Sequence, residues 1–356
     1  MSDASRSTLI TSYFEDVGDP PSFLSSMFRT PPENYFNSEE VEIDIKRSGK
    51  EIAVAVQDLS VKGRVNESTL FTSKKFKPPI FDELFAVKAW EQMSRQAGYN
   101  PFESVDFMES AFRSMRSNLS RGEGMIRRTV EVQASQVLQT GTVSLVDGAG
   151  TVNYNINFAP KTTHFPDAAT TWATSTTKLA DISALADVIR VNGHTVPGQL
   201  IFGKRAWLRF SGDTAVKALL DNRRMDLGAI SQPMLQGGGK YHGTITVESD
   251  IFELWTYQDW YDHPQTGVAT PYITQDSVIM RGPGRLDLVY GAIPVIVAPD
   301  PRVAALTLGR VSGRGTDMQT HAWVTEDGRT IMGSVGARPL CIPTAIDTFG
   351  CLNTVP

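Results

Sequence analysis

The sequence predicts an α+β protein built in several layers, and three observations carry that prediction. A long apolar stripe at helical spacing runs from Ser104 to Leu138 and passes straight into a β-hairpin that ends at Phe158. Alternating strand patterns lie near both ends of the chain, around Val41–Ile45 and Thr320–Val335. Between them, a helix over Leu179–Ile189 followed by an apolar strand at Gln199–Phe202 marks an inserted α/β unit.

With 356 residues the chain can bury a substantial core and holds two or three domain-sized units. Its net charge of −5, with 41% hydrophobic and 21% charged residues, excludes a dedicated nucleic-acid binder with a dense basic tract. The first thirty residues lack a charged start followed by an apolar run, so no secretory signal is expected. The most apolar stretch, Ala292–Ala298, carries Pro294 and falls far short of the roughly 20 residues that span a bilayer, so no membrane partner is expected. Cys341 and Cys351 are the only cysteines, too few for a disulfide scaffold, and are read as two buried thiols in a reducing compartment.

Taken in order, residues 1–40 read as an extended arm. Pro20-Pro21 and Pro31-Pro32 stiffen it, and Phe14, Phe23, Leu24, Met27, Phe28, Tyr35 and Phe36 form small apolar clusters that anchor such a segment on another surface. Val41, Ile43 and Ile45 alternate with charged residues as a strand, and Ile52–Val56 is a second β run. Gly49–Pro79 has strand character but too few large apolar residues to bury itself, so it reads as a projecting hairpin or loop. Its Lys62, Lys74, Lys75 and Lys77 face phosphate, neighbouring carboxylates or merely solvent.

Pro78-Pro79 closes the projection. Asp82 fits an N-cap, and Leu84, Val87, Ala89 and Trp90 supply the face of a helix over Glu83–Gln96. The long stripe follows: Val105, Met108, Phe112, Met115 and Leu119, then Ile126, Val130, Ala134, Val137 and Leu138. Arg121-Gly122-Glu123-Gly124 interrupts it, and two glycines at about 1 kcal/mol each in helix propensity predict a kink or short break. Gly141 stands where a helix stops. Thr142–Val146 and Thr151–Phe158 flank Asp147-Gly148-Ala149-Gly150 as a hairpin.

Thr162–Thr177 reads as a bridge between domains. Beyond the α/β start come short helices at Arg205–Phe210 and Thr214–Leu220, a Gly-rich loop at Pro233–Gly243, and strands at Ile245–Val247, Phe252–Tyr257, Ser277–Met280 and Leu286–Tyr290. The last fifty residues return to β, with Thr320–Val324 and Thr330–Val335 about the Glu326-Asp327-Gly328 turn and one further short strand within Leu340–Ile346.

Catalytic chemistry finds little support. His164, His194, His242, His263 and His321 are scattered in polar, loop-like surroundings with no metal-ligand spacing, and read as surface or loop histidines. Gly237-Gly238-Gly239 lacks both the dinucleotide fingerprint and a phosphate-loop Lys, and no Gly-x-Ser-x-Gly elbow is present. No catalytic, cofactor-binding or metal residue is assigned, and no cofactor is expected. Trp255, Tyr257, Trp260 and Tyr261 form an aromatic cluster that suits core or subunit packing, or else the stacking platform of a hydrolase or sugar-binding module.

A chain that anchors so much apolar surface in extended parts needs neighbours to complete it, which is the logic of an assembly subunit. Several stretches carry a resemblance: Met27-Phe28-Arg29 with Phe36 before the projection; Ala53-Val54-Ala55-Val56 to Pro78 within it; Leu220-Asp221-Asn222-Arg223-Arg224 in the inserted unit; and Trp323-Val324-Thr325-Glu326-Asp327-Gly328 before a strand ending near Arg338-Pro339-Leu340. In these the chain resembles the lambda-type (gpE-like) major capsid proteins of tailed bacteriophages, which have the HK97-type fold.

The resemblance implies an N-terminal arm (1–48), an extended loop (49–80), a peripheral domain with a long spine helix and β-sheet (81–174 and 311–338) and an inserted axial domain (175–310 and 339–356). It implies no enzymatic activity, and self-assembly as hexamers and pentamers into an icosahedral head shell enclosing DNA, formed in the host cytoplasm. Phe28, Phe36, Lys62, Lys74, Lys75, Lys77, Arg223 and Arg224 are the candidate inter-subunit contacts. Separate scaffold, portal and decoration proteins fit the pattern, as does non-specific contact with packaged DNA; no Lys–Asn crosslinking pair is identified. The alternatives are an encapsulin-like shell or another virion component, and, from a different class, the hydrolase or sugar-binding module.

Overall fold

A computed structural model of the chain describes residues 20–36, 38, 40–45, 72–92, 107–146, 152–224, 235–293 and 317–356. Strand β1 (Val41–Ile45) pairs antiparallel with β2 (Thr72–Phe76), from Val41 opposite Phe76 to Ile45 opposite Thr72. The two form the base of a ribbon whose intervening residues, including Ile52–Val56 and Lys62, lie outside the described ones.

The helix expected at Glu83–Gln96 is instead strand β3 (Phe81–Lys88), followed by a single helical turn, α1 (Ala89–Gln92). Leu84, Val87 and Ala89 fit a helical spacing, but Phe81, Glu83, Phe85 and Val87 also alternate, and a partner strand decides between the two. Residues 81–88 pair in full register with 330–337, which satisfies their backbone on that side and turns Phe81, Phe85 and Val87 inward while Asp82, Leu84, Ala86 and Lys88 face solvent.

Helix α2 (Phe107–Thr140) is one unbroken helix of 34 residues, with no interruption at Gly122 or Gly124. A Cβ on Gly122 would stand 2.8 Å from Phe85 Cε2 and 3.2 Å from Val335 Cγ2. The glycine therefore admits the sheet to close range, and this packing outweighs its propensity cost. Gly141 ends the helix in the left-handed region at φ +66°, where any side chain would also strike Pro160. The hairpin β4 (Thr142–Val146) and β5 (Val152–Asn157) follows directly.

After the bridge, whose Trp172 is fully buried, come α3 (Lys178–Gly193), β6 (Gln199–Phe202), α4 (Lys204–Ser211) and α5 (Thr214–Arg224). The Gly-rich segment is a tight hairpin between β7 (Leu235–Gln236) and β8 (Gly239–Val247), with Gly237 and Gly238 at positive φ. Then β9 (Asp250–Tyr257), β10 (Trp260–Asp262), β11 (Ala269–Pro271), β12 (Ser277–Arg281) and β13 (Asp287–Tyr290) complete the unit. The chain closes with β14 (Gln319–Val324), β15 (Thr330–Ala337), β16 (Pro339–Ile342) and β17 (Phe349–Asn353). The last of these was not expected.

Three apolar cores result. The inner face of the sheet β14-β15-β3 packs on α2 as far as Ile126, through Val87, Met115, Leu119, Ile126, Ile331 and Val335. The six-stranded sheet, in the order β17-β12-β6-β9-β8-β7 with only β6 and β9 parallel, packs against α3 and α4 through Trp172, Ile182, Ile189, Phe202, Phe210 and Phe252. A central core gathers the second half of α2, the β13–β16 ladder, the β4–β5 hairpin and the arm around Leu138, Phe158, Tyr257, Leu340 and Phe349. The spine helix thus serves two cores with one stripe, which explains a length no single core requires.

Candidate assembly interface

The arm finds its surface on its own chain. Residues 29–36 run alongside β13: Arg29 N–H donates to the Leu286 carbonyl at 2.8 Å, Leu288 N–H to Arg29 at 2.9 Å, and Phe36 N–H to Tyr290 at 2.9 Å. Asn34, buried, donates its amide to the carbonyls of Arg29 (3.2 Å) and Leu288 (3.1 Å). Tyr35 stacks on Tyr290 with centroids 5.2 Å apart and planes at 10°. Upstream, Phe23 packs on Trp255 and Tyr257, at 5.4 and 5.3 Å, and lies over Gly239, where a Cβ would come within 2.5 Å of its ring.

A carboxylate sequence reasoning missed secures this arm. Glu131, on α2 and 0% exposed, accepts the backbone N–H of Leu24 at 2.7 Å and of Ser25 at 2.8 Å. These are donors at the start of a 3₁₀ turn, which has no internal partner for them. Burial pushes the Glu131 carboxyl above its ordinary value, and the two N–H bonds oppose that shift. Burial, and then the charge of Glu131, raise the Tyr257 phenol beside it.

The candidate contact residues fall into groups. Phe28 is buried in this chain's own core at 5% exposure, and Phe36 is half-buried against it. Lys75 and Lys77 are exposed along and just beyond β2, and Lys74 occupies the position opposite Ile43 in the ladder. Arg223 and Arg224 are the last two residues of α5, and Lys62 lies outside the described residues.

A further surface appears once residues 81–88 are a strand. The outer face of β14-β15-β3 presents Leu84 at 57% and, at its two ends, Ile80 at 58% and Trp90 at 68% exposure. Met332 and Trp323, paired in register with each other and with Ala86, continue that face. Exposed apolar residues aligned on one sheet face mark an interaction surface.

The other singled-out residues are structural. His164 is a core histidine rather than a surface one: it is buried, its Nδ1 lies 2.8 Å from the Phe349 carbonyl and its Nε2 3.1 Å from the Asn192 amide. Of the aromatic cluster, Trp255 and Tyr257 are buried beneath Phe23 and Tyr261 packs on Tyr272, which leaves Trp260 exposed at 43%. Cys341 and Cys351 are buried free thiols whose pKa values burial pushes up, that of Cys351 to about 12. Among the described residues no group of three or more His, Cys, Asp and Glu side chains is placed to hold a metal, and no helix is long and apolar enough to cross a membrane.

The family model of phage major capsid protein E matches residues 7–349. The chain belongs to that family. The capsid protein also shares its fold with solved structures of low sequence identity. A candidate prophage capsid protein of Escherichia coli CFT073 superposes with a TM-score of 0.64 at 14% identity, covering 96% of each chain. The capsid of cyanophage A-1(L) superposes with a TM-score of 0.53 at 10% identity, covering 100% of this chain and 99% of that one. A search of curated proteins finds no match by sequence. The fold is therefore α+β of the HK97 type, and the capsid protein is a structural component of the virion head that works as a homo-oligomer.

Proposed function

We propose that the capsid protein assembles as hexamers and pentamers into a closed icosahedral shell in which the β1–β2 ribbon, residues 49–80 at its widest, reaches across to the next subunit. The observation that carries this is the pairing of two features of opposite character. One is a polar ribbon with exposed Lys75 and Lys77, and the other is the apolar outer face around Leu84, Trp90 and Met332, which the described residues of the subunit leave at least partly open. Ring closure by heterologous contacts needs two such different patches on one chain.

In this arrangement α2 and the sheet β14-β15-β3 form the peripheral domain, residues 81–174 and 311–338. The six-stranded sheet and its helices form the axial domain, residues 175–310 and 339–356, with Arg223 and Arg224 as contacts to its copies. Arm residues 1–48 brace the subunit, and Phe36 and the ribbon lysines contribute the inter-subunit contacts. Phe28 contributes from beneath, by holding the arm in place. The role is mechanical, without catalysis. DNA is the enclosed cargo, met without sequence preference, and its counterions allow an inner wall on a chain of net charge −5. Scaffold, portal and decoration proteins are separate chains.

The test replaces residues 46–71 with an Asn-Gly turn, which joins Ile45 to Thr72 where the ladder already pairs them. The shortened subunit is expected to fold, by circular dichroism, and to form no closed shells by electron microscopy, whereas the parent forms uniform shells enclosing DNA. Closed shells from the shortened subunit would remove the ribbon from assembly, and a parent that stays a compact monomer would remove the whole arrangement.

A further inference from the structure

This inference rests on the reading that the ribbon meets a neighbouring subunit. The ladder ends where Val41 faces Phe76, and the chain leaves it through Lys77 and Pro78. Both carbonyls there are gripped by side chains from remote elements. The Tyr154 phenol, on β5, donates to the Lys77 carbonyl. The Arg338 guanidinium, at the joint between β15 and β16, donates through Nη2 to the Pro78 carbonyl at 3.2 Å and through Nη1 to the Ala292 carbonyl at 3.0 Å.

Arg338 is only 1% exposed, an unusual place for a cation, so its hydrogen bonds are strong and geometrically demanding. Its own carbonyl accepts Gly291 N–H at 3.0 Å, and the next residue, Ala292, donates to Ser38 at 3.3 Å. Phe76 meanwhile packs on Phe158, with centroids 5.2 Å apart. The end of the arm, the exit of the ribbon, the end of β13 and the joint between two sheets therefore meet around one buried arginine. Pro78 and Pro79 lack N–H groups and have fixed φ, so at these two residues the backbone can be held only through carbonyls.

We infer that Arg338 and Tyr154 are positioning residues that set the direction in which the ribbon leaves the subunit, and so the place where it meets its neighbour. Loss of one such bond raises the population of misdirected ribbons on the order of tenfold.

The experiment uses the full chain with Lys75→Cys and Glu326→Cys, both exposed positions, carrying spin labels; the native thiols are buried and take none. Pulsed electron–electron distances are recorded on the unassembled labelled subunit, and shell yield is measured in parallel on the same Tyr154 and Arg338 variants without the two cysteine substitutions, because Lys75 is itself one of the proposed contacts. In Tyr154→Phe and Arg338→Met the distance distribution is expected to broaden at least about twofold, with Arg338→Lys restoring it in part. Should Arg338→Met fail to fold, Tyr154→Phe, which removes one hydroxyl, carries the test alone. Distributions as narrow as the parent's would overturn the inference, even if shells failed to form. Broad distributions with undiminished shell yield would leave the clamp standing and overturn the ribbon's part in assembly.

Discussion

Truncating Phe23 to alanine tests whether the arm is a built part of the subunit. The ring is 2% exposed, contacts Trp255 and Tyr257 at just over 5 Å, and occupies the space that Gly239 leaves open. Deleting a buried Phe side chain costs about 3–5 kcal/mol, and at ~1.4 kcal/mol per decade this multiplies the opened-arm population by on the order of 10²- to 10³-fold. Arg29 supplies the reporter. Its side chain is exposed to trypsin, but its backbone is bonded to Leu286 and Leu288 and must detach before cleavage. Cleavage that follows the open population therefore rises with it. The assay is mass-spectrometric quantification of the Arg29–Thr30 cut under native conditions, with circular dichroism showing the rest of the fold intact. A rate within about threefold of the parent's would refute the claim that residues 20–36 open as one unit held by Phe23.

Three further outcomes follow from the same structure. Glu131→Gln tests the arm latch by pH: the folded-state carboxyl lies above its ordinary 4.5, so the parent's stability advantage is full below that value and is lost as pH rises through the raised one. Melting temperatures of parent and variant from about pH 4 to 8 are expected to converge towards alkaline pH, and divergence in that direction would contradict the burial argument. Gly122→Val, on the helix face that meets Phe85, is expected to destabilise by about 1–3 kcal/mol in urea titration, whereas a glycine in an open helix position would gain from replacement. Iodoacetamide is expected to label neither Cys341 nor Cys351 in the native protein and both after unfolding, and native labelling of either would show that its core opens.

Much of this was legible where local and tertiary preferences agree. The long stripe, the helix ending at Gly193, the strand at Gln199–Phe202 and the hairpin about Gly328 all have periodicity and terminal residues pointing one way. Reading failed where a distant partner decided. Residues 81–88 carry both periods, and only the register with 330–337 selects the strand. Gly122 signalled a break because the sequence does not reveal the Phe85 ring that needs its missing side chain. Strand β17 is five residues with a glycine at its second position, too short and too weakly patterned to stand out, and exists because β12 offers an edge. Phe23, Leu24 and Phe28 did announce that the arm needs a surface, but not that the surface is their own. Glu131 had one signal: it stands three residues before Ala134 and seven before Leu138, a lone carboxylate on a buried stripe.

Strands β15 and β16 are separated by a single residue, so the chain crosses from the sheet β14-β15-β3 to the ladder with β13 without a slack loop. A tension applied to the outer sheet is carried along extended covalent backbone into the central core, with no hinge to absorb it. The eight-residue register with β3 resists such a pull in shear, every rung loaded at once, rather than peeling rung by rung. The subunit is thus continuous in extended backbone along this line.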